Sequence, residues 1–147
     1  MNAASVDLKD RLVVKSVGTF AAASGWGIYI DSAPKEPDTV IVLLDVGGSE
    51  PQRSMSAVRT AATLDHDMVQ VQVRSNSYTG AHEKMRGIID AIEKGGIRWT
   101  VDGAESADPD IAIEGIFAMS STSSLGRDDA DRYVLSRNYR MVRREKL

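Results

Sequence analysis

The sequence predicts an α+β fold: a mostly antiparallel β-sheet with helices packed on one face, long projecting loops and a terminal strand standing clear of the core. Three observations carry this. Residues 66–74 alternate strictly, with Val69, Val71 and Val73 on one side and Gln70, Gln72 and Arg74 on the other. Residues 77–94 set Ala81, Met85, Ile88, Ile89 and Ile92 on one helical stripe, opposite Glu83, Arg86, Asp90 and Glu93. Residues 133–144 form a long strand whose two sides are both mixed: Arg137 shares a side with Tyr133, Leu135, Tyr139 and Met141. A strand with no cleanly apolar face suits contact with a partner subunit better than enclosure in a core.

The remaining elements follow in chain order. A first helix is expected over residues 5–23, with Ser5 as N-cap, Asp7 in the first turn, and Val6, Val13, Val17 and Phe20 at helical spacing. Gly25 and Gly27 break the chain, and residues 27–31 read as a short strand. Pro34 and Pro37 mark a turn. Residues 39–45 are apolar and β-branched, a buried strand ending at Gly47-Gly48. From Gly47 to Asp65 periodicity fails, so a long loop is expected, centred on residues 49–64. Ser77 or Thr79 caps the helix that stops at Gly95-Gly96, the pair Arg86 and Asp90 standing at i,i+4 on its outer side. Strands at 97–101 and 111–119 enclose a loop at 102–110, and a Ser-rich connection at 120–131 leads into the last strand.

At 147 residues the chain fits a single domain, 1–147, able to bury its own core. Apolar content of 42% and charge of 27% exclude wholesale disorder. The absence of cysteine removes disulfides, thiolate chemistry and Cys-based zinc sites. The start of the chain lacks the basic segment of a secretion signal, and no apolar run reaches the roughly 20 residues that span a bilayer. A net charge of −3 opposes broad affinity for nucleic acid or anionic membrane. Residues 137–146 run against that balance, gathering Arg137, Arg140, Arg143, Arg144 and Lys146 against one acid, Glu145.

No catalytic constellation emerges. There is no Gly-x-Ser-x-Gly elbow for a serine nucleophile, and His66 and His82 read as solvated surface residues. Asp65-His66-Asp67 could meet a metal only if adjacent strand residues shared a face, which they do not. Asp128-Asp129-Ala130-Asp131 lacks the alternate spacing, central glycine and closing glutamate of a calcium loop. It reads instead as a solvated loop with an internal ion pair to Arg127 or Arg132. Gly25-Trp26-Gly27 and Gly47-Gly48 are turn glycines rather than a phosphate cradle, and Trp26 and Trp99 are expected to pack inside. No cofactor or metal is expected.

Five stretches carry a resemblance: the first helix into Gly27-Ile-Tyr-Ile30; Ala33-Pro-Lys-Glu-Pro-Asp-Thr-Val-Ile-Val-Leu43; Val69-Gln-Val-Gln-Val-Arg74; Tyr78 with the helix behind it; and Leu125-Gly-Arg-Asp-Asp-Ala-Asp-Arg132 with Ser136-Arg-Asn-Tyr139. In this order the chain resembles the tail-terminator family of long-tailed bacteriophages, also called phage minor capsid proteins. Residues 49–64 match nothing in that pattern.

The resemblance implies a virion protein working by binding alone. A homo-oligomeric ring, typically a hexamer, would cap the finished tail-tube protein and join the tail to the head-neck connector protein, while DNA passes through unbound. Subunit and tail contacts are expected at Arg53, Arg127, Asp128, Asp129, Arg132, Arg137, Tyr139, Arg140, Arg143 and Arg144, and reversing Arg140 and Arg143 to glutamate is expected to abolish attachment. The isolated chain can be monomeric if the ring closes only on its partner. Other readings remain: a head-completion or neck protein, a tail-tube subunit, or a small ligand-binding or enzymatic domain using a cleft beside residues 49–64. A stand-alone nucleic-acid binder would need more aromatics and the opposite net charge.

Overall fold

A computed structural model describes residues 3–22, 25–53, 63–93 and 112–145. The expected strand at 97–101 with Trp99, and the loop at 102–110, lie outside them. The elements are α1 (Ala4–Val14), β1 (Thr19–Phe20), β2 (Gly27–Ile30), β3 (Val40–Arg53), β4 (Thr63–Ser75), α2 (Tyr78–Glu93), β5 (Ala112–Ala118), β6 (Ser123–Arg127) and β7 (Tyr133–Glu145). The fold is α+β, as expected. One curled sheet runs β1-β2-β3-β4-β7-β5, and β6 pairs with β7. Among the described strands only the β1–β2 and β2–β3 pairs are parallel.

Strand parity decides the layers. Val69, Val71 and Val73 of β4 stand opposite Tyr139, Arg137 and Leu135 of β7, so all six side chains leave the sheet on one face. Ile41 and Leu43 of β3 join them through their register with Val73 and Val71. This face meets Leu8 and Leu12 of α1 and Ala81, Met85, Ile88 and Ile92 of α2, forming one apolar core. Burying each such large side chain stabilises the fold by about 1.5–3 kcal/mol. The α2 stripe is the one the helical spacing predicts, with Ile89 partly buried at its border, and Ser77 Oγ caps the helix by accepting from Gly80 N–H at 3.1 Å.

The first helix departs from expectation in length and in face. It ends at Val14, and the chain turns through Ser16 at φ 56° before β1. Ala3 occupies the N-cap without a side-chain bond, while Ser5 is inside the helix and buried. The buried side consists of Ala4, Ser5, Asp7, Leu8, Arg11 and Leu12, whereas Val13 and Phe20 face solvent. Ser5 is buried because Asp45 of β3 receives its N–H at 3.0 Å and its hydroxyl at 2.5 Å.

Gly47-Gly48 does not end β3. The strand continues to Arg53 through two register shifts, between Asp45 and Gly48 and between Ser49 and Gln52. Gly47 takes φ +88°, and a Cβ on Gly48 would collide with His66 O across the ladder. These glycines make a β-bulge, which bends the strand without stopping its pairing. The region read as a long loop is therefore largely a β3–β4 hairpin arm, of which residues 54–62 are outside the described part.

β7 is the second correction. It is flanked by β4 along its whole length and by β5 and β6 on its other edge. It is thus an interior strand rather than a projecting one. The Ser-rich connection also holds a strand: β6 pairs with the start of β7, although all five of its residues are exposed.

Candidate docking surfaces

The charged turn between β6 and β7 is a rigid tip. Asp128 Oδ1 accepts from the N–H groups of Ala130 at 3.1 Å and Arg132 at 2.9 Å, and Asp128 Oδ2 from Arg132 Nε at 2.9 Å. The backbone closes the same loop, Asp128 N–H to Arg132 O and Asp131 N–H to Asp128 O, both 2.9 Å. These donors, the Arg132 backbone N–H first, hold the Asp128 carboxyl below the ordinary aspartate value. Arg132 is buried and also donates to Lys35 O at 2.5 Å, which anchors the turn to the Pro34–Pro37 segment. Arg74 reaches the same segment, donating to Pro34 O and Pro37 O at 2.8 Å.

Arg127 is the exposed member. Its Nη1 lies 2.9 Å from Asp131 Oδ1, its Nη2 bonds the Tyr133 hydroxyl, and its guanidinium stands 4.5 Å over the Tyr133 ring. Tyr133 packs edge-on against Tyr78 at 5.5 Å, and Tyr78 tilts onto His82 at 4.4 Å. The internal ion pairs expected of this loop are present, one for each arginine.

The basic strand β7 divides by face. Towards the helices, Arg143 Nη1 meets Asp7 Oδ2 at 2.9 Å and its Nη2 meets Asp67 Oδ2 at 2.7 Å. Arg137 Nη2 meets Glu93 Oε1 at the end of α2 at 3.2 Å. Tyr139 is fully buried, and burial pushes its hydroxyl up to about 12. Tyr139, Arg143 and Arg132 are interior side chains, so they leave the set of expected docking residues: each already holds the fold together. On the opposite face Arg140 lies 5.2 Å over the Phe117 ring, and the exposed Arg144 Nε meets Glu114 Oε1 at 3.0 Å. Asp129 is exposed in the turn, and the backbone of Arg53 pairs with Thr63 near the end of the arm.

The described residues contain no group of three or more His, Asp or Glu able to hold a metal. Asp67 points to the helix face and His66, its neighbour, to the other, as strand parity requires. His82 is exposed, and Trp26 packs against the core with Lys84 5.2 Å over its ring. Two clefts occur. One of about 410 Å³ runs along α2 between His82, Arg86, Ile89 and Thr122, and one of about 250 Å³ lies between Asp31 and the outer sheet face at Val42 and Gln72. The surroundings of residues 54–62, where a ligand site was the alternative expectation, lie outside the described residues. Among the described residues no helix is long and apolar enough to cross a membrane.

Sequence reasoning missed the exposed apolar side chains of β5, β6 and the residue that follows β5. Phe117, Met119 and Leu125 sit among serines and glycines, where no alternation marks them.

The fold is found in solved structures. A chain in "Virion of native gene transfer agent (GTA) particle" superposes with a TM-score of 0.50, covering 97% of this chain and 95% of that one at 14% identity. A sequence search of curated proteins gave no match. The family model described as "Bacteriophage tail terminator protein" matches residues 7–144, from the first turn of α1 to the end of β7, and the chain accordingly belongs to the bacteriophage tail terminator family.

Proposed function

We propose that the protein closes the finished tail tube of a long-tailed phage as a homo-oligomeric ring, a hexamer, and joins the tail to the head-neck connector. It carries no catalytic step: the work is done by shape-matched contacts with its own copies, the tail-tube protein and the connector protein. Assembly takes place in the host cytoplasm and the product resides in the virion. DNA passes through the ring without specific binding, in keeping with a net charge of −3.

The observation that carries this reading is the β6–β7 tip. Arg127 and Asp131 are half or more exposed, at 51% and 77%, on a backbone fixed by the inward-facing Asp128 and Arg132 and their capping bonds. A preorganised, charged projection loses little conformational entropy on docking, which suits a joint made between large assemblies. Arg127, Asp128, Asp129, Arg140 and Arg144 are the docking residues of this reading, with Arg53 on the arm and Arg137 beside the end of α2, where it meets Glu93.

The test is the phage without this chain. Loss of a cap leaves tubes of uncontrolled length and heads without tails, and gold labelling in complete virions falls at the head-proximal end of the tail. Label along the tube, or tails of normal length in its absence, would favour a tube or neck subunit instead.

A further inference from the structure

The exposed large apolar side chains divide between the two opposite edges of the sheet. At one edge β1 is outermost, and beyond Leu43, where β2 stops, β3 is paired on one side only among the described residues. Here stand Phe20 at 52% exposure and Val46 at 47%, with Val13 and Val14 at the end of α1, just ahead of β1. At the other edge β5 and β6 lie end to end along β7. Here stand Phe117 and Met119, each at 49%, and Leu125 at 54%. Tyr78 belongs to the same end, since it packs on Tyr133, the partner of Arg127 in β6.

Along the sheet β1 lies five inter-strand spacings from β5, roughly 24 Å, and the open part of β3 lies three, roughly 14 Å. A two-fold contact needs a single self-complementary patch. Two unlike patches on opposite sides are what a head-to-tail contact needs, because each copy presents one patch to each neighbour. Both edges also leave backbone N–H and C=O groups without strand partners among the described residues, and open edges of this kind pair with another strand.

We propose that the β1–β3 edge of one copy docks against the β5–β6 edge of the next, so that Val46 and Phe20 meet Phe117 and Leu125. The occupant of each edge is a second copy of this chain. This assignment rests on the ring reading above and gives it an interface.

The chain has no cysteine, so single thiols can be placed at will. Val46→Cys, Phe117→Cys and the double variant are treated with a short bismaleimide at high protein concentration and on isolated tails. Val14→Cys replaces Val46→Cys if that variant fails to fold. The expected result is a ladder of covalent oligomers from the double variant, dimers only from a mixture of the two single variants, and no product from either single variant alone. Self-linkage of one single variant would mean a two-fold contact and overturn the proposal. Absence of linkage in a double variant that still sediments as an oligomer would place the contact elsewhere and overturn it, leaving the ring reading intact. A wild-type chain that stays monomeric in solution and on tails defeats the ring reading, and this interface with it.

Discussion

Arg143 and Asp7 face each other inside the molecule, Nη1 to Oδ2 at 2.9 Å, across 136 residues of chain. The pair ties the last strand to the first helix, and Asp67 of β4 completes it from the sheet. Arg143→Met would leave Asp7 buried without its cation, and removing one partner of such a pair destabilises by about 3–5 kcal/mol. Urea denaturation should report that loss, and Asp7→Leu added to Arg143→Met should recover much of it. Burial, the largest influence, already raises the Asp7 carboxyl above its ordinary value. A raised folded-state value means stability gained at acid pH and lost as pH rises through it, so the Arg143→Met defect should shrink on acidification.

Asp128 has the opposite sign. Its carboxyl is held low by the Arg132 and Ala130 N–H groups and by Arg132 Nε, so its contribution is present above the unfolded value of 3.8 and disappears as pH falls through the lower folded value. Acid should therefore loosen the β6–β7 tip. The amide resonances of Ala130 and Arg132 should move together with the Asp128 carboxyl during an acid titration, and Asp128→Asn should abolish that step. Amide shifts unchanged by the substitution would mean that the tip is held by its backbone bonds alone.

What the sequence made legible was local. The alternation of Val69, Val71 and Val73 and the stripe from Ala81 to Ile92 each report one buried face through spacing alone, and both lie where expected. What it hid depends on partners far along the chain. Arg137 and Arg143 made β7 look unsuited to an interior, yet they are neutralised by Glu93 and Asp7, 44 and 136 residues away. Ser5, Asp7 and Arg11 made the wrong side of α1 look polar for the same reason, since a buried polar group is tolerated once it is paired. The β3 arm was hidden differently: this bulge uses glycines, for the φ of Gly47 and the close approach at Gly48, and Gly47-Gly48 reads as a stop.

The bulge can be tested residue by residue. Gly48→Ala would drive a methyl group into His66 O, and the backbone must shift to accept it. Gly47 has open space at its Cβ position, and alanine there meets only the strain of φ +88°, about 1–2 kcal/mol. Gly48→Ala should therefore have the lower urea midpoint of the two. It should also disturb amide exchange at Asp67 and His66, which Gly47→Ala should leave as it is.

Charge reversal on β7 must respect its two faces. Reversing Arg140 together with Arg143, the experiment the sequence suggests, would confound docking with folding, because Arg143 is interior. Arg140→Glu with Arg144→Glu keeps to the outer face, where Arg144 is exposed and paired with Glu114 at its rim. A half-exposed pair of this kind contributes about 0–1 kcal/mol, and the reversal also sets a second carboxylate beside Glu114, so the double variant should fold with a modestly lowered urea midpoint. A glutamate in place of each arginine changes the sign presented to a neighbouring subunit or tail protein, and like-charge juxtaposition at an interface costs several kcal/mol. Complementation of a phage lacking this chain should therefore fall by at least about a hundredfold in infectious yield. Full yield from the folded double variant would remove the outer face of β7 from the docking surface and leave the β6–β7 tip to carry it.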